Sequence, residues 1–263
     1  MQDFMTPPNH KGFGMSLLES QNSALTNPTC RQTAIVTGGS SGMGLAIARK
    51  LHSLGMNVIV FDIQPPPDPF RFYQVDIRSD EQIRAALSQI SQVDILINNA
   101  GIYFEKYLEE TSNDDIDRMV DINIKGTYQM TRDTFPKIKA SRGSIIIIAS
   151  CLGLVPELTS PLYCTTKAGL VMLTKCLAQQ YADCGIRVNC VLPGPINTPL
   201  LQKSFPDSAA ERHCAERIPI KRIGQPEDVA NMVAFLVSPE ANYITGGAFP
   251  VDGGVSSSSL YSK

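Results

Sequence analysis

Thr33-Ala-Ile-Val-Thr37-Gly38-Gly39-Ser40-Ser41-Gly42-Met43-Gly44-Leu45 decides how this chain is read. A short β-branched run stops at a glycine cluster, and an amphipathic run, 42–54, follows at once. The sequence therefore reads as strand, tight turn and helix. Glycine at 38, 42 and 44 removes the Cβ atoms that would hold a ligand away from the backbone. Free N–H groups and the positive end of the helix dipole at such a turn suit a pyrophosphate. Glycines also serve plain turns, so the strand before and the helix after give the motif its weight.

The same alternation continues downstream. Further strands are expected at 57–61, 71–75, 93–97, 144–149 and 187–192, with a weaker one at 247–251. Helical periodicity runs over 80–90, 113–140, 163–184 and 226–237. Near-continuous apolar strands separated by amphipathic helices predict an α/β fold. It is a Rossmann-like, doubly wound parallel sheet of about seven strands, with helices on both faces. Residues 32–263 read as one domain with a substrate lid near 199–219, bounded by Pro199 and Pro219. Residues 1–31 mix Pro, Gly, Asn and Ser without apolar periodicity, so an N-terminal extension, disordered or weakly docked, is expected there.

Composition removes several function classes. Twenty-three Lys and Arg oppose 25 Asp and Glu, which leaves no electrostatic footprint for nucleic acid or an anionic membrane surface. No apolar run approaches the ~20 residues of a membrane helix. The seven Cys (30, 151, 164, 176, 184, 190, 214) include no Cys-x-x-Cys pair, and the three His are scattered. Neither a disulfide framework nor a metal site is suggested, and reduced thiols fit a cytoplasmic protein.

Two features carry chemistry. Asp62 ends the second strand, 20 residues past Gly42. A carboxylate there can accept both hydroxyls of an adenosine ribose and would repel a 2′-phosphate. No Lys or Arg lies inside the glycine turn, where Ser41 stands instead, so NAD is preferred over NADP. Taken alone, Asp62 could equally start the turn before Pro65-Pro66-Pro67. Farther along, Tyr163 and Lys167 are four apart, on one face of a helix. The ammonium would favour tyrosinate and lower the Tyr163 pKa, so that Tyr163 serves as general base on an alcohol or general acid on a carbonyl. Ser150, at the end of the 144–149 strand, could hold the substrate oxygen beside it. By itself a Tyr-x-x-x-Lys pair is common on helix surfaces.

Together these residues resemble the short-chain dehydrogenase/reductase family over roughly 32–254. The motifs are Thr37-Gly-Gly-Ser-Ser-Gly-Met-Gly44, Asp76, Asn98-Asn99-Ala100-Gly101, Asn123, Ser150, Tyr163-x-x-x-Lys167, Pro193-Gly194 and Thr198. The resemblance implies a catalytic tetrad of Asn123, Ser150, Tyr163 and Lys167. In it Asn123 kinks its helix and supports a proton relay, and Lys167 also bonds the nicotinamide ribose. It implies a cofactor set of Gly38, Ser40, Ser41, Gly42, Met43 and Gly44 at the turn, then Asp62 with Ile63 and Asp76 with Ile77. Asn99, Ala100, Gly101, Tyr163, Lys167, Pro193, Gly194, Ile196 and Thr198 complete it. Asn98 is expected to brace the central strands. The implied activity is NAD(H)-linked interconversion of a secondary alcohol and a ketone, by a homotetramer or homodimer.

The substrate end is less specified. Cys151, Leu152, Val155, Leu158 and the lid should line it, with hydroxyacyl, 3-hydroxybutyrate-like, dihydrodiol and steroid substrates open. Lys203, Arg212, His213 and Arg217 are candidate anion contacts, although an amphipathic lid would turn them to solvent. Cys164 reads as a packing residue. One departure stands out: Gln64-Pro-Pro-Pro-Asp-Pro-Phe70 replaces a family helix with a short, stiff link, which should leave the adenine end more exposed. A nucleotide-sugar epimerase or dehydratase shares the Tyr-x-x-x-Lys pair but resembles longer chains, whereas only about 70 residues follow Pro193. A non-catalytic NAD-binding regulator or scaffold would need no Ser, Tyr and Lys in this arrangement.

Overall fold

The isoleucine run of residues 144–148 shows how the core is built. Ile145 and Ile147 point into one hydrophobic cluster, and Ile146 and Ile148 into another on the opposite face. A strand covered on both sides has no polar face, which is why the sequence runs without alternation there. The computed structural model describes residues 31–257. The extension read at 1–31 lies outside the described residues except for Arg31.

Seven strands form one parallel sheet: β1 (Thr33–Thr37), β2 (Asn57–Asp62), β3 (Arg71–Gln74), β4 (Ile95–Asn98), β5 (Ser144–Ile148), β6 (Arg187–Pro193) and β7 (Ala248–Val251). Their order is β3-β2-β1-β4-β5-β6-β7. The chain winds outward in one direction from β1 and then in the other from β4, so the switch point lies between those two strands. Ligands bind at the carboxyl ends of strands at such a point. Helices α1 (Gly42–Ser53), α2 (Asp80–Ser88), α3 (Asn113–Val120), α4 (Thr127–Ser141), α5 (Pro161–Tyr181), α6 (Pro199–Gln202), α7 (Ser208–Arg217) and α8 (Pro226–Val237) connect them. Residues of α2, α4 and α5 bury against one face of the sheet, and α1 with α8 against the other.

Two expectations are modified. The helix read as continuous over 113–140 is two helices joined by a π-helical turn, Asp121–Gly126. Strand and helix ends also move by one to three residues, the last for the helix read to 184, which ends at Tyr181. The proline link, by contrast, contains no helix, as read. It returns the chain over residues 63–70, shorter than a parallel crossover usually requires. It is pinned to α1 by an Asp68–Arg49 ion pair and by Phe70 packed edge-on against His52, 5.6 Å between ring centroids.

Arg187, at the start of β6, closes the far end of the molecule. Its guanidinium donates to the Leu236 carbonyl at 2.7 Å, satisfying a group that α8 leaves open at its C-terminus, and to the Ile244 carbonyl at 3.4 Å in the loop beyond. Burial pulls its pKa below the ordinary arginine value. Arg187→Met should cost about 1.5–3 kcal/mol, the range for a hydrogen bond from a charged donor. Urea denaturation of the two proteins measures it, and equal midpoints would refute the assignment.

Candidate active site

The glycine turn forms one wall of a groove of about 380 Å³ at the switch point. Gly38 and Gly42 have positive φ angles of 63° and 51°, a backbone region that disfavours other residues. A Cβ on Gly44 would lie 2.1 Å from the Gly38 carbonyl oxygen, so helix α1 can start this close to β1 only with glycine there. Ser41 caps α1 without a side-chain hydrogen bond, and the first-turn N–H groups face along the helix axis.

Of the residues read as cofactor contacts, Gly38, Ser41, Met43, Gly44, Asp62, Ile63, Asp76, Ile77, Asn99, Ala100, Gly101 and Thr198 line this groove. Asp62 accepts the Ser40 N–H at 2.9 Å and the Gln64 N–H at 3.3 Å. Ser40 thus braces Asp62 from behind, and Gly42 packs on the Thr198 side chain. Asn99 donates to the Thr37 and Gly38 carbonyls, both at 3.0 Å, tying β4 to the turn. Asn98 lies outside the groove and donates to the Thr131 hydroxyl at 2.9 Å, within the central layer. The Ile196 side chain lies elsewhere: it is buried in the core cluster that contains Val229. Pro193 ends β6, and Gly194 abuts the backbone of Asp252.

The sequence reading missed Arg78 and Ile122, which also line the groove, as does Leu200 of the expected lid. Arg78 forms an ion pair with Asp76, its Nε 3.0 Å from both carboxylate oxygens. The pairing holds the Asp76 carboxyl below its ordinary pKa. A basic residue two places beyond Asp76 was the available signal.

Beside the groove, Ser150, Tyr163, Lys167 and Asn123 come together. Ser150 caps a short 3-10 turn after β5, its hydroxyl accepting the Leu152 N–H at 3.2 Å, and lies close enough to the Tyr163 phenol to act on its pKa. Lys167 sits one turn along α5, its Nζ 5.4 Å from the Tyr163 ring centre and donating to the Ile148 carbonyl at 3.1 Å. Asn123 occupies the π-helical turn. Its Nδ2 donates to the Ile102 carbonyl at 3.0 Å, and its Oδ1 accepts the Ile102 N–H at 2.9 Å. Gly101 fits between: a Cβ there would sit 3.2 Å from Asn123 Oδ1 and 3.6 Å from Lys167 Nζ.

Electrostatics correct one expectation. Lys167 was expected to lower the Tyr163 pKa. Instead, burial dominates and pushes the Tyr163 phenol above its ordinary value, with the Ser150 hydrogen bond pulling weakly the other way. Burial also pushes Lys167 down to about 8. The neighbouring thiols behave likewise: burial raises Cys164, and it pushes Cys151 up to about 12. Both thiols therefore stay protonated near neutral pH and are poor nucleophiles.

On the substrate side, Leu154 and Leu158 are exposed. Lys203 reaches the groove, while Arg212, His213 and Arg217 face solvent on α7, as the amphipathic reading expects. Two larger cavities, of about 700 and 640 Å³, lie by α7 and α8 and under β7, and none of the four grouped residues lines them. Among the described residues, no group of three or more His, Cys, Asp or Glu is placed to hold a metal. No helix among them is long and apolar enough to cross a membrane.

A family model described as enoyl-(acyl carrier protein) reductase matches residues 38–256. The 3-oxoacyl-[acyl-carrier-protein] reductase FabG of Rickettsia bellii is 36% identical over 234 residues, covering 85% of this chain and 96% of that protein. The 3-ketoacyl-(acyl-carrier-protein) reductase of Brucella melitensis, solved with NADH, superposes with a TM-score of 0.79 at 33% identity, covering 86% of this chain and 98% of that one. ElxO with NADP bound gives 0.81 at 30% identity, covering 87% and 100%.

The Lys167 shift makes a prediction about stability. Between roughly pH 8 and 10.5 the unfolded chain binds more protons at this site than the folded one, so stability rises with pH across that window. Lys167→Met removes this titration. The variant should be more stable than the parent at pH 7, by up to roughly 3 kcal/mol, and the gap should shrink toward pH 10. Urea midpoints at the two pH values test this, and a pH-independent gap would contradict it.

Proposed function

The chain belongs to the short-chain dehydrogenase/reductase family of oxidoreductases, and on that premise we propose that it interconverts a secondary alcohol and a ketone with NAD(H). The carrying observation is the Tyr163 hydroxyl beside Ser150, one helical turn from the buried Lys167. A nicotinamide bound in the groove would supply or accept the hydride at the substrate carbon.

The groove suits such a dinucleotide because Gly44, with no room for a Cβ against the Gly38 carbonyl, lets the start of α1 lie hard against the turn. The donors at the start of α1 would meet the pyrophosphate. Asp62 would take the adenosine ribose, and Asp76, braced by Arg78, would stand at the adenine. Lys167 would hold the nicotinamide ribose, and Thr198 the carboxamide side.

Raised above its ordinary pKa, Tyr163 carries its proton at neutral pH. It would therefore donate that proton to a ketone oxygen while Ser150 holds the same oxygen in place. The reverse reaction needs Tyr163 to lose its proton, and the ammonium of Lys167 favours that loss. Asn123 holds the loop after β4 against α5 and keeps the relay side closed. A cytoplasmic homotetramer or homodimer is the proposed form, and exposed Tyr128 on α4 and Met172 on α5 support a buried contact between copies.

Tyr163→Phe should keep NADH binding, measured by fluorescence titration, and lose roughly 10²- to 10⁴-fold in turnover on a substrate drawn from a broad carbonyl panel. Undiminished turnover would refute the proton-transfer role.

The preference for NAD over NADP rests on Asp62, whose carboxylate faces a groove with no cation beside it on the glycine turn. A 2′-phosphate would meet like charge. NADH should bind at least ~10-fold tighter than NADPH, and Asp62→Ala should remove most of that difference. A tighter NADPH complex in the parent protein would overturn the assignment.

A further inference from the structure

Tyr103 lies two residues beyond Gly101, in the loop that leaves β4, and the reaction as described does not use it. Its ring meets the Tyr163 ring edge-on, with centroids 4.9 Å apart and planes at 77°. This is a favourable geometry for an aromatic pair. The contact is held from both sides. On one side, the preceding residue, Ile102, has both backbone polar groups bonded to the Asn123 side chain. On the other, the Lys106 N–H donates to the Thr159 carbonyl at 2.8 Å. Residues 102–106 are therefore stretched between the π-helical turn and the loop that precedes α5.

The Tyr103 hydroxyl is fixed as well. It donates to Glu105 Oε1 at 2.8 Å and accepts from Ser160 Oγ at 3.3 Å. Ser160 is 2% exposed and starts helix α5, since its carbonyl accepts the Cys164 N–H at 3.0 Å. The element that carries Tyr163 is thus bonded to the residue that packs on the Tyr163 ring. Burial and the nearby Glu105 and Glu157 carboxylates push the Tyr103 phenol above its ordinary pKa, so it remains a donor.

We propose that Tyr103 is a positioning residue for Tyr163: its ring edge fixes the orientation of the Tyr163 ring, and Glu105 and Ser160 lock it there. The proposal rests on Tyr163 being the proton-transfer group. The reason is geometric. The χ2 well of a tyrosine is broad, so a serine hydroxyl near the phenol oxygen does not by itself set the ring plane. A wall on one side of the ring does. A misplaced acid loses rate without losing cofactor.

The test uses the full chain with NADH, labelled at the tyrosine ring carbons, and three variants: Tyr103→Leu, Tyr103→Phe and Glu105→Ala. The Tyr163 signal is assigned by its loss in Tyr163→Phe. In Tyr103→Leu that signal should shift and broaden at pH 7, because the ring edge beside it is gone. The kcat should fall roughly 10- to 100-fold while the KM for NADH stays within about twofold. Tyr103→Phe restores the ring edge and should return both readouts most of the way. Glu105 is exposed, so Glu105→Ala leaves the core intact and should give a smaller change of the same sign should the Leu variant fail to fold. A Tyr163 signal unmoved in Tyr103→Leu and in Glu105→Ala, or unchanged kcat in both, overturns the proposal. Retained turnover in Tyr163→Phe overturns it by a separate route, because it removes the reaction that Tyr103 serves, while a shifted Tyr163 signal would still report the contact.

Discussion

The side-chain amide of Asn123 is where three parts of the chain meet. It bonds the Ile102 backbone in both directions and donates to the Thr166 hydroxyl on α5 at 3.3 Å. The loop after β4, the turn between α3 and α4, and the helix carrying Tyr163 and Lys167 are all referred to this one group. Burial makes the arrangement stiff, because at 1% exposure any unmade bond would cost the full desolvation of an amide. The π-helical turn is what delivers the amide to that point. A regular helix through 113–141 would keep its i→i−4 ladder and place residue 123 differently about the axis. Gly126 completes the turn: a Cβ there would come 2.5 Å from the Ile77 side chain, which lines the groove at the switch point. One irregular turn thus sets both the catalytic side and one wall of the groove.

What the sequence disclosed follows the same division between local and tertiary causes. The strands were legible because a segment covered on both faces must be apolar at every position, as the isoleucines of β5 are. Tyr163 and Lys167 were legible because helical spacing alone puts them on one face. The break between α3 and α4 was not, since apolar periodicity continues across it and only the resemblance hinted at a kink. The direction of the Tyr163 shift was also hidden. Spacing shows that an ammonium is near, but the degree of burial depends on packing from Tyr103, Cys151 and the helix itself, residues far apart in sequence. Tyr103 sits in a loop, where no period marks which side chains turn inward.

The proline link shows a second tertiary compensation. Omitting a crossover helix removes the cover that normally lies over the outer strands. Here the link is shortened to residues 63–70 and fastened to α1 through Phe70 and Asp68. The ion pair is largely exposed and adds little by itself. The apolar contact matters more, because Phe70 also packs against the cluster that holds α1 on the sheet. Beyond β3, Arg78 and Asp76 line the groove as an ion pair.

Lys167 shows what the site costs the fold. An ammonium at 4% exposure that donates to the Ile148 carbonyl has lost most of its hydration, and no carboxylate among the described residues forms an ion pair with it. That is an unfavourable place for a charge, which is why its pKa falls. The surrounding structure tolerates it because the strands and helices around it bury enough apolar surface to over-determine its position. The same dryness raises Tyr163, so one environment works on the two groups in opposite senses: it keeps the phenol protonated and the amine close to losing its charge. The two pKa values are thereby driven apart, so the pair favours its uncharged form, phenol beside amine, over tyrosinate beside ammonium. Two fully solvated side chains of these types would titrate within about half a unit of each other, so the separation comes from the packing around them and not from the residue types.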